Sequence, residues 1–87
     1  MREGYIEHEL WGGVRRKYTF DNGYGASVVR HRYSYGADEG LWELAVIGPD
    51  GHLVYDTPIT EDVEGHLTEE DVDALLERIA ALPPKEN

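Results

Sequence analysis

The hydrophobic pattern changes period once along the chain. Between residues 15 and 56 apolar positions alternate or run in short blocks, as in strands; from Val72 onward they recur every three or four residues, as in a helix. In "RRKYTFDNGYGASVVRHRYSY" (residues 15–35), Tyr18, Thr19 and Phe20 lead into Asn22-Gly23, a pair that tolerates positive φ at both centres of a type I′ turn. Beyond it, Tyr24, Ala26 and Val28 alternate with Ser27, Val29 and His31. "LWELAVI" (Leu41 to Ile47) is almost continuously apolar and reads as a central strand. "GPDG" (Gly48 to Gly51) is a turn, and "HLVYD" returns from it as a strand.

The helix is the clearest element. Thr68 offers an N-cap hydroxyl with Asp71 three residues on, and Glu69, Glu70 and Asp71 suit the positive end of the helix dipole. Val72, Leu75, Leu76, Ile79 and Leu82 form one stripe, and Pro83-Pro84 stops the helix. "DTPITEDVEGH" (residues 56–66) reads as an extended loop between sheet and helix. Residues 5–11, "YIEHELW", stay open: Ile6, His8 and Leu10 alternate like an edge strand, yet Ile6 and Leu10 are also one helical turn apart.

These signals predict an α+β fold. Four strands, near 15–21, 24–33, 41–48 and 52–56, form an antiparallel meander, and one C-terminal helix near 69–82 lies across one face. The helix stripe should meet Phe20, Val28 or Val29, Leu44, Val46 and Leu53. A two-residue Asn22-Gly23 loop would set Asp21 opposite Tyr24, Lys17 opposite Val28 and Arg15 opposite Arg30. The 87 residues make a single domain, with a variable segment 1–13, a core 15–82 and a tail 83–87. One helix covers only one sheet face, and Tyr18, Tyr24, Tyr33, Tyr35, Trp11 and Trp42 are many aromatics for that core. A homodimer through the open face or an edge strand is therefore expected, the competing idea being that residues 5–11 fold over that face.

Charge refines the picture. The net charge is −10, but residues 1–32 carry six Lys/Arg against four Asp/Glu, and residues 33–87 two against fourteen. Direct nucleic-acid binding is disfavoured, because phosphate contacts need a basic field that the chain lacks. There is no cysteine, hence no disulfide framework or thiolate chemistry, which fits a cytoplasmic setting. No run approaches the roughly 20 apolar residues of a membrane span, so no membrane partner is expected.

Catalytic chemistry finds no constellation. His8, His31, His52 and His66 are scattered without metal-ligand spacing, Ser27 and Ser34 lie in no nucleophile elbow, and the glycines fit no phosphate loop. No catalytic residue, metal or cofactor is expected. The stretch "VVRHRYSYGADEGLWELAVIG" (residues 28–48) is different. On a strand Arg30 and Arg32 share one face, with His31, Tyr33 and Tyr35 on the other. The bland reading is that Asp38, Glu39 and Glu43 neutralise the arginines. The functional one is a binding surface of Arg30, Arg32, Tyr33, Tyr35 and Trp42, residue types enriched at interfaces.

"FDNGYGASVVRHRYSYGADEGLWELAVI", followed by "YDTPITEDVEGHLTEEDVDALLERI", resembles a family of small uncharacterised proteins of tailed phages and prophages, over roughly residues 17 to 82. The "SYG…EGLWELAV" and "YDTPIT" segments carry the resemblance; "MREGYIEHELWGG" is peculiar to this chain. It implies no activity and transfers no catalytic residue. Its context implies a non-enzymatic protein in the bacterial host's cytoplasm that binds a host protein, in host takeover or anti-defence. The first alternative is a sponge for an anionic nucleotide, with the same arginines on phosphate and the tyrosines stacking on a base. The second is an acidic nucleic-acid mimic using Glu61, Asp62, Glu64, Glu69, Glu70, Asp73 and Glu77.

Overall fold

The computed structural model describes residues 2–34, 36–52 and 64–84. Among them the chain forms a five-stranded antiparallel meander and one C-terminal helix packed on it, the expected α+β class with one strand more than expected. The strands are β1 (Tyr5–Leu10), β2 (Gly13–Thr19), β3 (Gly25–Arg30), β4 (Trp42–Ile47) and β5 (Glu64–Leu67), in that order across the sheet. A short 3₁₀ turn spans Ala37–Glu39, and α1 covers Glu69–Ala80.

β1 resolves the ambiguity at residues 5–11. Alternation wins over the helical spacing because Trp11 and Gly12, with φ of 43° and 76°, close a two-residue hairpin onto β2, pairing Leu10 with Gly13 and Tyr5 with Tyr18. Residues 5–10 thus lengthen the sheet and do not fold over its face. The strand beside β4 is Glu64–Leu67, so the predicted loop 56–66 ends in a strand. Of the predicted strand 52–56, residues 53–56 lie outside the described residues, as does the predicted core residue Leu53.

The β2–β3 turn differs from the expected one by one residue. Phe20 N–H donates to Tyr24 O at 2.8 Å, and Gly23 N–H to Phe20 O at 3.0 Å, with Gly23 at φ 89°. This is a three-residue loop closed by a left-handed glycine. Its extra residue sets Arg15 opposite Val29, Arg16 opposite Val28 and Val14 opposite Arg30, so Arg15 and Arg30 are not opposed. A one-residue shift decides which side chains share a row, and here it brings Arg16 rather than Arg15 onto the helix-bearing face.

That face holds the core. Tyr18, Ala26, Val28, Trp42, Leu44 and Val46 from the sheet meet Val72, Leu76 and Ile79 from α1, all buried. Val28, not Val29, points inward; Leu75, Leu82 and Phe20 are only partly buried at the margin. Tyr18, Tyr24 and Trp42 are therefore core aromatics, and the surplus that suggested a dimer is smaller than the count implied. The helix starts as its sequence requires: Thr68 Oγ1 accepts from Asp71 N–H at 3.1 Å, and Asp71 Oδ2 accepts from Thr68 N–H at 3.1 Å. It packs mainly on β3, β4 and β5, while on the helix-side face of β2 Tyr18 is buried and Arg16 and Val14 are half-buried.

Candidate binding surface

The five residues picked from the sequence do not form one site. β3 ends at Arg30, and residues 31–34 form a turn in which Ser34 N–H donates to His31 O at 3.1 Å. The strand alternation that paired Arg30 with Arg32 stops there. Arg30 stays with the helix-side face, whereas Arg32 and Tyr33 belong to a loop at the end of the sheet. Tyr35 lies outside the described residues.

Arg30 and Trp42 form the inner half. The Arg30 guanidinium lies 4.4 Å from the Trp42 ring centroid and donates through Nη1 to Gly40 O at 3.3 Å. Arg16, two strands away, approaches the same ring at 5.0 Å, and also stacks on Tyr5 at 4.6 Å. Its Nε donates to Glu7 Oε1 at 2.8 Å. Burial works against the charge on Arg16, but the Glu7 hydrogen bond and the nearby tyrosines outweigh it, leaving the group more firmly protonated than usual. Trp42 itself is 1% exposed and makes no surface for a partner. Its ring instead holds two cations by cation–π contact on the helix-side face of the sheet. Arg30 is thus held by an indole and a carbonyl, a different arrangement from the expected neutralisation by Asp38, Glu39 or Glu43.

The outer half is an aromatic tip that the sequence reading missed in part. Trp11 meets the His31 ring edge-on at 5.0 Å and the Tyr33 ring at 5.6 Å; His31 and Tyr33 are 6.4 Å apart. Backbone bonds fasten the two loops, with Arg32 N–H donating to Trp11 O at 3.2 Å. His31 is held by Ser34, whose Oγ accepts from His31 N–H at 2.9 Å, while His31 Nδ1 accepts from Tyr33 N–H at 3.1 Å. The cluster is nevertheless wet: Trp11 is 60% and Tyr33 68% exposed. Beside it a shallow groove of about 330 Å³ is lined by Gly12, Gly13, Val14, Arg30, His31, Arg32, Ala37 and Asp38.

Trp11 is the informative residue. The first centre of a turn with two positive φ angles favours Asn, Asp or Gly, and a bulky side chain there is strained. Trp11 thus combines a strained backbone position with a large exposed ring. The available signal was Trp-Gly between two alternating segments, a hairpin cue obscured because Trp is not a turn former.

The acids of the mimic reading are dispersed. Glu64, Glu69, Glu70 and Glu77 are exposed, while Asp73 is half-buried and accepts a hydrogen bond from Arg2 N–H at 2.6 Å. Glu61 and Asp62 lie outside the described residues. Among the described residues, no group of three or more His, Asp or Glu side chains is placed to hold a metal ion, and no helix is long and apolar enough to cross a membrane. Comparison with protein families, with curated proteins and with solved structures finds no match to the chain.

Proposed function

We propose that this is a non-enzymatic, phage-type protein that acts in the bacterial cytoplasm by binding a host protein through the Trp11–His31–Tyr33 tip, with Arg32 beside it. The observation that carries this reading is Trp11: 60% exposed, at φ 43°, in a turn that a smaller residue would close with less strain. Trp, Tyr and Arg are the residue types on which interface energy concentrates, and here they are prearranged, so little side-chain entropy is lost on docking. The phage context comes from the resemblance of residues 17–82. The test is capture from bacterial lysate by the wild type, Trp11→Asn, Tyr33→Ala and Arg32→Ala. A partner held by the wild type and lost with Trp11→Asn supports the proposal; one held equally by all four sinks it.

A second reading rests on the groove beside the tip. Arg30 and Arg32 both line it, next to the imidazole of His31, which suits a small anion such as a nucleotide. A nucleotide that raises the melting temperature of the wild type but not of Arg30→Ala or Arg32→Ala would favour it over a protein partner. Self-association through the sheet face away from α1 remains part of the proposal, since Ile6 on that face is 65% exposed. Light scattering that gives a monomer's mass removes it.

A further inference from the structure

We infer that the open edge of β1 accepts an extended, positively charged segment of a partner protein as a sixth strand. This deepens the reading of the chain as a binding protein, and it uses the strand that leads into Trp11 in place of the tip itself.

The two edges of the sheet differ. The β5 edge has four residues, an irregular register against β4 and a left-handed His66 at φ 56°, and α1 begins two residues after it ends. That edge is short and bent, the usual protection against strand addition. β1 has six residues in continuous register with β2, no bulge and no proline, and its four central residues are exposed. Hydrogen-bonded and non-hydrogen-bonded pairs alternate along an antiparallel ladder. The pair flanking the two-residue loop, Leu10 and Gly13, is of the hydrogen-bonded kind, so the residues at Tyr5, Glu7 and Glu9 turn their backbone N–H and C=O outward. These are the groups an added strand would engage.

The side chains select the occupant. In a two-fold pairing of β1 with a second copy, residues directly opposite each other share a face. Odd positions then meet odd ones, and even positions even ones. Any register that pairs five residues of β1 therefore sets Glu7 against Glu7 or Glu7 against Glu9 of the other copy. Like charges directly opposed are destabilising. Glu7 is already compensated by Arg16, but Glu9 faces Val14 across the ladder and has no cation there. A strand with Lys or Arg at alternate positions removes the conflict and places a cation opposite Glu9. Its remaining side chains lie along Ile6, His8 and Leu10, where small apolar or β-branched residues fit.

The probe is a synthetic peptide alternating lysine and threonine, long enough to span β1, with a glutamate–threonine peptide as control. The readout is hydrogen exchange by NMR at the Tyr5, Glu7 and Glu9 amides. The lysine peptide should protect these amides and the glutamate peptide should not. Glu9→Lys should weaken binding by about tenfold, roughly the size of one such charge contact. Glu9→Pro, which removes an outward N–H and leaves the β1–β2 ladder intact, should abolish it; should that variant not fold, the wild-type exchange pattern and Glu9→Lys decide alone. The inference is overturned if saturating lysine peptide leaves those amides unprotected, or if both peptides bind alike. Protection without any peptide, at concentrations where the protein dimerises, would give the edge to a second copy. Binding that survives Glu9→Pro but is lost with Trp11→Asn would overturn the edge and leave the aromatic tip standing.

Discussion

Asn22, in the β2–β3 turn, donates its side-chain amide to the Ile79 carbonyl at 2.8 Å. The same nitrogen lies 2.9 Å from Leu82 O and 3.3 Å from Ala80 O, while Asn22 Oδ1 accepts from Tyr24 N–H at 2.9 Å. One side chain therefore shapes the hairpin and adds a donor to the carbonyl end of α1, where Ile79 O also accepts from Leu82 N–H at 3.1 Å. It ties the helix terminus to the sheet across a sequence separation of 57 residues.

Replacing Asn22 should accordingly loosen two elements together. Asn22→Ala is expected to lower stability by about 1–3 kcal/mol, the range for leaving buried hydrogen-bonding groups unpaired. Asn22→Asp should be worse than Asn22→Ala, because a carboxylate would face the same carbonyl oxygens. Chemical denaturation checks the magnitude, and hydrogen exchange should show the C-terminal turn of α1 opening first.

The helix stripe contains two adjacent leucines that the structure distinguishes. Leu76 is fully buried in the core, while Leu75 packs at its margin. Leu76→Ala should destabilise by about 2–5 kcal/mol, as should Leu44→Ala, and Leu75→Ala should have a clearly smaller effect. Equal losses at 75 and 76 in urea denaturation would mean that α1 is rotated from the orientation described.

Tyr18 supplies a pH dependence. Burial, its largest perturbation, pushes the phenol up from 10 to about 12, with Asp73 and Tyr5 adding to the shift and Arg16 opposing it. The hydroxyl donates to Arg2 O at 2.5 Å, a bond lost on ionisation. The folded state thus holds this proton more tightly than the unfolded chain. Its contribution is complete below pH 10 and fades as pH rises toward about 12. Between those limits, stability of the wild type should fall more steeply than that of Tyr18→Phe. Thermal melts of both proteins across that range test the difference.

Trp11→Asn should separate folding from binding. Asn suits the left-handed first position of the β1–β2 turn, which relieves about 1 kcal/mol of strain. The ring contacts given up with His31 and Tyr33 are worth a comparable amount. Stability should therefore stay within about 1 kcal/mol of wild type while partner capture is lost. A large stability loss in denaturant would make Trp11 a folding residue and remove the chief support for the tip.

Local chemistry made much of this protein legible in its sequence. The helix could be placed from Thr68, the following acids, the stripe of Val72, Leu76 and Ile79, and the two prolines, because capping and amphipathicity are written within a few turns of chain. β3 and β4 were readable for the same reason, through Val28, Leu44 and Val46. The site was less so. Arg30, Arg32 and Tyr33 were found by residue type, but how they converge depends on where β3 stops: the turn at His31–Ser34 carries Tyr33 to the Trp11 ring and leaves Arg30 and Arg32 on the groove beside it. Trp42 looked like a contact residue, yet the helix-side packing buries it beneath two arginines. Trp11 went unread as a contact because its part depends on His31 and Tyr33, some 20 residues away. The register of β2 on β3 turned on one loop residue, since two-residue and three-residue loops share the same Asn-Gly signal and only the closing Phe20–Tyr24 pair selects between them. β5 has four residues with little apolar pattern, so its place beside β4 comes from the ladder and from α1 packing, which are tertiary. Sequence therefore determined what each local segment prefers, while long-range pairing decided which side chains meet, because a strand acquires its neighbours only when the sheet closes.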